Sequence, residues 1–265
     1  MVKAISNRRR HPMAAFVVMF VALILCGFVY AAATPGSRAE ASSASADQVA
    51  QGRELFAVGC ASCHGLGAQG TDDGPTLYGV GAAAVDFQVG TGRMPLANQG
   101  PQAVDKPPIY DEEQVAALAA YVASLAPGPA IPGDEQLGSG DMSDAELAQG
   151  GQLFRTNCSA CHNFAGEGGA LTNGKYAPKV VDTDPRYVYE AMITGPQSMP
   201  VFADSTLTPQ DKQQIIAYLQ HLNDTPNQGG SGIGRLGPVS EGLYGWIVGI
   251  GALLIVSIWI GAKSH

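Results

Sequence analysis

The chain has 265 residues, of which 46% are hydrophobic, and its 23 Asp and Glu against 15 Lys and Arg give a formal net charge of -8 at pH 7. Most of the imbalance lies in residues 47–226, which hold 21 acidic and 8 basic side chains. An acidic field repels phosphate backbones, so the composition argues against nucleic acid as a partner.

The N-terminal region contains an uncharged apolar segment of 21 residues, 13–33, directly after a basic stretch that includes Arg8–Arg10. The apolar core of a secretory signal is shorter, roughly 7 to 15 residues, so the segment predicts a retained transmembrane signal anchor. Cleavage at Ala31–Ala33 remains the alternative. Cys26 follows Leu25, where lipoprotein signals have a small residue, so Cys26 is interpreted as an apolar thiol within the membrane helix.

Two copies of Cys-x-x-Cys-His carry the chemistry of the chain. The first comprises Cys60, Cys63 and His64, and the second comprises Cys158, Cys161 and His162. Each copy is typical of covalent c-type haem attachment. The two cysteines add as thioethers to the haem vinyl groups, and the adjacent histidine is then held where it binds the iron. The sequence therefore predicts two covalently bound haem c groups.

Paired cysteines have two other interpretations. Ribbon-type zinc sites place their two Cys-x-x-Cys pairs roughly 15 to 20 residues apart. Here 94 residues separate Cys63 from Cys158, and each pair has its own histidine. A disulfide or a thioredoxin-like redox pair has no need for that histidine. Both alternatives are therefore weaker than haem.

The repetition extends beyond the two motifs, which indicates a duplicated folding unit. Gly52–Phe56 precedes the first motif at the same distance as Gly150–Phe154 precedes the second. Both segments predict a first helix with Leu and Phe facing inward. Each copy ends in another predicted helix, capped by Asp111 in the first copy and by Thr208 in the second. Strand signals are sparse, so helix and loop are expected.

These patterns divide the chain into six regions. Residues 1–46 hold the N-terminal segment and a Ser- and Ala-rich linker, 47–126 the first unit, 127–140 a Pro- and Gly-rich linker, 141–226 the second unit, 227–242 a Gly-rich linker, and 243–262 a C-terminal apolar helix. The prolines predict a semi-rigid connection between the units. Each unit has about 80 residues, small for a lone hydrophobic core, and a covalent haem supplies much of what it would bury.

A low-spin electron carrier needs a sixth iron ligand, and cytochromes c pair histidine with methionine. In residues 47–126 Met94 is the only methionine, and His64 is the only histidine. Met94 is therefore the predicted sixth ligand of the first iron, with His64 as the fifth. An unligated core methionine is the alternative.

The second unit offers four candidates for the sixth ligand: Met142, Met192, Met199 and His221. Met142 precedes the motif in a linker, and Met192 falls in a predicted helix where core packing is expected. Met199 stands directly before a proline, as Met94 does. Met199 is therefore the predicted ligand of the second iron, and His221 is interpreted as a helix-end residue.

The C-terminal apolar segment, 243–262, has 20 uncharged residues, enough to span a membrane. Trp246 and Trp259 lie near its two ends, and Lys263 follows it. The positive-inside rule places this lysine and the N-terminal arginines in the cytoplasm. Residues 35–240 are then expected outside the cell membrane, with both termini inside.

With these residues, each unit resembles a class I cytochrome c domain. In that family a helix precedes the haem motif, a proline carbonyl accepts a hydrogen bond from the proximal histidine, and a loop brings the methionine before a closing helix. Pro75 and Pro178 match that proline. Pro178 lies 16 residues after His162, whereas Pro75 lies 11 after His64. The second copy is therefore expected to contain an inserted loop.

The whole layout resembles the dihaem cytochrome cc subunit of the actinobacterial cytochrome bc complex. The implied fold is mainly α, with two tandem class I cytochrome c domains flanked by transmembrane helices. The resemblance implies electron passage from an iron-sulfur protein that oxidises menaquinol, through both haems, to an aa3-type oxidase. The implied partners are the cytochrome b and iron-sulfur subunits of an oxidoreductase complex, that oxidase, and a respiratory supercomplex in the membrane.

Other haem proteins share parts of this pattern. A dihaem subunit of a cbb3-like oxidase resembles the soluble half, but a C-terminal helix after both haem units argues against it. A dihaem peroxidase or a haem-based gas sensor needs an accessible iron. Met94 and Met199 together argue against an open site in either unit.

Overall fold

The computed structural model of the protein describes residues 13–33, 44–138, 142–225, 234–235 and 238–263. The chain separates into two units between Ala41 and Ser42. In the first unit, α1 (Ala14–Ala33) is a single helix without acidic or basic residues in its end turns. All the remaining elements belong to the second unit.

The first cytochrome-like domain has four helices. They are α2 (Ala46–Gly59), α3 (Ala61–His64), α4 (Gly81–Gly90) and α5 (Glu112–Leu125). Asp111 caps α5: its carboxylate accepts a hydrogen bond from Gln114 N at 2.9 Å, and Asp111 N donates to the Gln114 side chain at 3.1 Å. The predicted cap is confirmed, because the carboxylate satisfies an amide that the first helical turn leaves without a partner.

Helices α2 and α5 cross at Gly52. A Cβ at this position would overlap the carbonyl oxygen of Ala117, so only glycine lets the two backbones approach so closely. One turn further along α2, the ring of Phe56 lies 5.2 Å from the ring of Tyr121. The residues around this crossing form the buried core of the first domain.

The linker and the second domain contain eight elements in the described residues. In chain order they are α6 (Asp134–Leu137), α7 (Asp144–Asn157), α8 (Ser159–His162), β1 (Gly169–Ala170), a 3-10 turn (Thr172–Gly174), β2 (Tyr176–Ala177), α9 (Pro185–Thr194) and α10 (Pro209–Asp224). Thr208 caps α10 with Asp211, as predicted, and Pro209 takes the first helical position. At Gly150 a Cβ would overlap the carbonyl oxygen of Gln214, so the crossing of α2 and α5 recurs between α7 and α10.

The inserted loop of the second copy is a β-hairpin. The turn that follows the haem-binding motif is the same in both copies: Gly70 N donates to His64 O at 2.8 Å, and Gly168 N donates to His162 O at 2.9 Å. The hairpin pairs Gly169 with Ala177 directly afterwards, before the proline that the two copies share. The extra residues therefore form one compact structure, the only sheet in the described residues.

The two domains contact each other through α4 and α9. The rings of Phe87 and Tyr187 meet edge to face at 6.2 Å. Arg186 Nε lies 3.2 Å from the Asp86 carboxylate. Neither α4 nor this contact was predicted, since Gly81–Gly90 has no side-chain cap and Phe87 packs against a ring of the other domain.

The C-terminal region is helical over Pro238–Tyr244 (α11), a π-helical segment Gly245–Ile250, and Gly251–Lys263 (α12). Within it, Val239–Lys263 is 25 residues long and apolar enough to cross a membrane. This helix starts before the predicted segment 243–262. The prediction included uncharged residues only, whereas the helix continues through Glu241. In the described ranges no other helix is both long and apolar enough to cross a membrane. Within α1, the apolar part Ala14–Phe28 is too short to meet the length criterion. The N-terminal anchor thus stays a prediction.

Candidate haem sites

The first proximal histidine is oriented by the backbone of the following loop. α3 begins at Ala61, and it presents His64 at its last position. His64 Nδ1 lies 2.7 Å from the carbonyl oxygen of Pro75. A carbonyl can only accept, so Nδ1 carries the proton and Nε2 keeps its lone pair free for a metal.

The second histidine repeats this arrangement. His162 Nδ1 donates to the carbonyl oxygen of Pro178 at 2.9 Å. Burial lowers the pKa of His162, and the bond to Pro178 opposes that shift only in part. The imidazole is therefore neutral near pH 7, which is the form that binds iron.

The first cysteine of each motif lies against apolar side chains. Burial raises the pKa of Cys60 and of Cys158 to about 11, and the neighbouring Cys63 and Cys161 add to the rise. Cys60 and Cys158 pack against the apolar cores of their domains, an environment that suits thioether bonds to a porphyrin edge. In the described ranges, moreover, no group of three or more His, Cys, Asp or Glu side chains converges as a metal site.

A cavity of about 610 Å³ lies beside the second motif. Cys158, Cys161, His162 and Met199 all line it. This volume falls in the usual range for cofactor pockets, about 300 to 1,000 Å³. The structure therefore brings the four predicted residues of the second site to one cavity.

The candidates for the second sixth ligand are separated by the structure. Met199 lies in the loop after α9, with its backbone N–H donating to Pro196 O at 3.0 Å, and it lines the cavity. Met192 also lines the cavity, but it is part of the buried core under α9. Met142 and His221 are absent from the cavity wall, and His221 is exposed near the end of α10. Met199 remains the predicted ligand, and Met192 is its one competitor on the described wall.

Met94 lies in a loop that several hydrogen bonds hold in place. Its backbone N–H donates to Gln88 O at 2.8 Å, and its side chain packs against the core of the first domain. Lys106 Nζ donates to the carbonyl oxygens on both sides of Met94, those of Gly92 and Pro95. Sequence reasoning missed Lys106, because no local pattern marks a lysine that bonds to distant carbonyls.

Two family models match the chain. The model described as "Cytochrome c" matches residues 49–126, and the model described as "Cytochrome C oxidase, cbb3-type, subunit III" matches residues 145–219. Each matched range contains one Cys-x-x-Cys-His motif. The chain therefore has two cytochrome c domains in tandem.

Relatives extend the likeness to almost the whole chain. The "Cytochrome bc1 complex cytochrome c subunit" of Corynebacterium efficiens is 42% identical over 99% of this chain and 94% of that protein. The protein of the same name from Mycobacterium tuberculosis is 41% identical over 97% of this chain and 94% of that protein. The chain belongs to the family of cytochrome bc1 complex cytochrome c subunits. The "Cbb3-type cytochrome c oxidase subunit FixPc" of Rhizobium leguminosarum bv. viciae is 32% identical, over 46% of this chain and 42% of that protein.

As a cytochrome bc1 complex cytochrome c subunit, the chain carries two covalently bound haem c groups and transfers electrons. The residues present fit that group: each domain has two cysteines beside a histidine whose Nε2 is free. In the second domain, an apolar cavity lies next to them. These local features agree with the family, and the assignment of individual iron ligands follows below as a proposal.

The wall of the second cavity is not built by the second domain alone. The first domain contributes Phe87, Thr91, Arg93, Gln102, Asp105, Lys106 and Pro107. Gln102 holds the hairpin across the contact, because its amide accepts from Tyr176 N and donates to Tyr176 O, both at 2.8 Å. The cavity beside the second motif is therefore lined by residues of both domains.

A pair of buried carboxyl groups lies at the same domain contact. Glu190 is 0% exposed, and Asp86 is 4% exposed. No N–H or hydroxyl donor in the described part of the chain hydrogen-bonds to either Glu190 oxygen. Burial raises the pKa of Glu190 to about 10, and the charge of Asp86 together with a hydrogen bond between the two carboxyl groups adds to the rise. The raised pKa favours the neutral form of Glu190 beside Asp86, whose carboxylate lies 3.2 Å from Arg186 Nε.

Proposed function

We propose that this cytochrome bc1 complex cytochrome c subunit is a membrane-held dihaem electron carrier. Electrons would enter from the iron-sulfur subunit of a menaquinol-oxidising bc complex that also contains cytochrome b. They would leave to an aa3-type terminal oxidase within a respiratory supercomplex. The near full-length relatives, named as subunits of a cytochrome bc1 complex, support the first of these partners.

The proposed ligands are His64 and Met94 for the first iron and His162 and Met199 for the second. The cysteines that would form the thioethers are Cys60 and Cys63 in the first domain and Cys158 and Cys161 in the second. A bound haem iron exchanges one electron at a time. The histidine is held by a proline carbonyl and the methionine by a short loop, so the side chains need not move when the charge changes.

The contact between the two domains is the observation that carries this proposal. Side chains of the first domain form part of the wall of the second haem cavity. The two haem sites thus lie in one packed body, joined by the ring contact of Phe87 and Tyr187. Such an arrangement suits electron transfer within one chain, in place of a carrier that diffuses between complexes.

The proposed location is the cell membrane, with both haem domains on the extracytoplasmic side. The helix Val239–Lys263 supports one membrane span. Trp259 lies near its end, with Lys263 Nζ 4.6 Å from the ring, as expected at a membrane interface. We further propose α1 as a second span, which would place both termini in the cytoplasm.

A subunit of a cbb3-like oxidase is the second candidate, and the match of residues 145–219 to that family model favours it. The likeness to the FixPc protein is limited to 46% of this chain, whereas the bc1-named relatives cover 97% to 99%. We therefore place this candidate second.

Purification of the native complex from membranes tests the proposal. An affinity tag at the C-terminus should co-purify a cytochrome b, an iron-sulfur protein and oxidase subunits, identified by mass spectrometry. A potentiometric titration of the purified material should resolve two low-spin c-type haems. Recovery of a cbb3 catalytic subunit, or rapid binding of CO to either reduced c-type haem, would contradict it.

A further inference from the structure

Arg93 lies on the part of the second haem cavity that the first domain supplies. The residue is 8% exposed, and its guanidinium carbon lies 4.9 Å from the centre of the Phe87 ring. Both residues line the cavity, together with the hairpin residues Lys175 and Tyr176. Arg93 immediately precedes Met94, the proposed ligand of the first iron.

In the described residues this guanidinium makes no side-chain hydrogen bond and no ion pair within 4 Å. None of the four ion pairs found there includes Arg93. Asp105, the one acidic residue on the described cavity wall, interacts electrostatically with Arg93 and accepts a hydrogen bond from the Tyr176 hydroxyl at 3.1 Å. A guanidinium stays charged in proteins, and a hydrogen-bonded anion stabilises such a charge when it is largely buried.

The other cations on the cavity wall already have partners. Lys106 donates to the carbonyl oxygens of Gly92 and Pro95, and Lys175 donates to the Ser198 hydroxyl at 2.9 Å. Lys179 pairs with Asp182 at 2.9 Å. Of the Lys and Arg side chains on the described wall, Arg93 is thus the one whose N–H groups make no hydrogen bond to the described chain.

We propose that Arg93 of the first domain binds a propionate of the haem that the second domain attaches. The inference rests on the proposed haem sites. Propionates are the anionic groups of haem c, and a guanidinium matches a carboxylate with two parallel hydrogen bonds. The second haem site is then incomplete without the first domain, and one residue joins the loop of Met94 to the neighbouring haem.

The neighbouring contacts hold Arg93 in place for this role. Lys106 fixes the loop on both sides of Met94. Gln102 and Gln197 each make paired hydrogen bonds across the domain contact, Gln102 with the backbone of Tyr176 and Gln197 with the backbone of Ala103. The hairpin inserted in the second domain thereby closes over the same side of the cavity as Arg93.

The proposal makes a prediction about the potential of the second haem. A positive charge close to the porphyrin favours the reduced state, which carries one negative charge more than the oxidised state. Loss of the guanidinium should therefore lower the midpoint potential of the second haem. It should also leave the propionate free to take up a proton near neutral pH, so that this potential becomes pH-dependent.

The test compares Arg93→Gln and Arg93→Lys with the exposed Arg53→Gln, which removes the same charge from α2 of the first domain. The purified full-length holoprotein is titrated potentiometrically between pH 5 and pH 8. The second haem is identified as the one whose potential moves in Met199→Ala. In Arg93→Gln its oxidation should become about tenfold more favourable, about 59 mV for a one-electron couple. Arg93→Lys should recover part of the shift, and Arg53→Gln should show none.

The outcomes separate this inference from the proposed function. If wild-type protein lacks two covalently attached haems, counted as pyridine haemochromes, the proposed function fails. If both haems are present and the second potential is the same in Arg93→Gln as in wild type, the Arg93 assignment alone is wrong. A shift confined to the first haem, or loss of its methionine-to-ferric charge-transfer band, would also overturn the assignment, because Arg93 would then act only through Met94.

Discussion

Each proximal histidine donates one hydrogen bond to a backbone oxygen, and this bond affects how the histidine can bind a metal. His64 and His162 donate from Nδ1 to the carbonyls of Pro75 and Pro178, at 2.7 and 2.9 Å. The bond fixes the tautomer and the plane of the ring, and it increases electron donation from Nε2 to a bound metal. The proposed proximal side is therefore the same in both domains, and we expect differences in potential between the haems to come from the proposed methionine ligands and their surroundings.

The first prediction concerns the two methionines proposed as sixth ligands. In Met94→Ala or Met199→Ala, the altered domain should lose its sixth ligand, and the potential of its own haem should fall, because the thioether favours the reduced iron. The other haem should keep its potential. Potentiometric titration and CO difference spectra of the purified protein measure both effects.

Met192→Leu is the matched control for Met199→Ala, because Met192 lines the same cavity from the buried core. Leucine conserves the volume, so this variant should keep the methionine-to-iron charge-transfer band of the second haem. If Met192→Leu abolished that band and Met199→Ala preserved it, the ligand assignment of the second iron would be wrong.

The second prediction concerns Glu190 and pH. Its pKa is raised from an ordinary 4.5 to about 10 in the folded protein. Between these values the folded state holds a proton that the unfolded state has lost, so the stabilisation is complete below about pH 4.5 and decreases as pH rises towards 10. Glu190→Gln keeps the shape of the protonated side chain and removes this dependence. Relative to wild type, the variant should gain on the order of 4 kcal/mol in the free energy of unfolding as pH rises from 5 to 8.

Chemical unfolding followed by circular dichroism at the two pH values measures this gain. The exposed Glu113→Gln is the control and should show the same pH dependence as wild type. A difference between Glu190→Gln and wild type that is constant with pH would show that Glu190 is ionised in the folded protein, contrary to the prediction.

Sequence reasoning identified the residues whose chemistry depends on local spacing. The Cys-x-x-Cys-His motifs need only five consecutive residues, and a methionine before a proline is visible in each copy. Arg93, Lys106 and Glu190 carry no such signal. Their surroundings come from segments far apart in the chain, so a buried role could not be distinguished from a solvated surface charge.

At the level of elements, the two helix crossings explain why the duplicated segments keep a glycine at the same place. Gly52 and Gly150 each face a backbone carbonyl of the closing helix. The rings of Phe56 and Tyr121, and of Phe154 and Tyr218, pack beside the crossings at 5.2 and 5.8 Å. The close approach of the backbones and the ring packing together fix the position of the helix that precedes each haem-binding motif.

Gly150→Ala provides the third prediction. The added Cβ would overlap the Gln214 carbonyl oxygen, and a backbone atom in a packed helix cannot move aside easily. The change should reduce the free energy of unfolding by about 1 to 3 kcal/mol, despite the better helix propensity of alanine. Thermal unfolding of the holoprotein measures it. Gly242→Ala is the control, because a Cβ there meets nothing within 4 Å. Equal stability of the two variants would contradict the crossing geometry.

The elements that could be predicted are those whose signals are local. Asp111 and Thr208 mark helix starts through their side chains, and both caps are present in the structure. The extra residues before Pro178 indicated an inserted loop, but not its hairpin form. That form depends on Gln102, which bonds to Tyr176 from the other domain. A pattern within the second copy could not contain this information.

Across the whole molecule, the contact between the domains has two consequences. It closes the second haem cavity with side chains of the first domain, and it buries the acidic pair of Asp86 and Glu190. The first consequence links the two haem sites, and the second links the stability of the contact to pH. Both depend on α4 and α9 staying in contact, so separation of the domains should disturb the second haem more than the first.

The fourth prediction separates one membrane anchor from two. Deletion of residues 239–263 removes the candidate span Val239–Lys263. If 13–33 is a retained anchor, as proposed, the shortened protein should stay in the membrane fraction and resist extraction with carbonate. Its intact mass should include the N-terminal residues and two haems. Release of a dihaem protein into the extracytoplasmic fraction, with a mass that shows cleavage near Ala33, would mean that the C-terminal helix is the sole anchor of the mature chain.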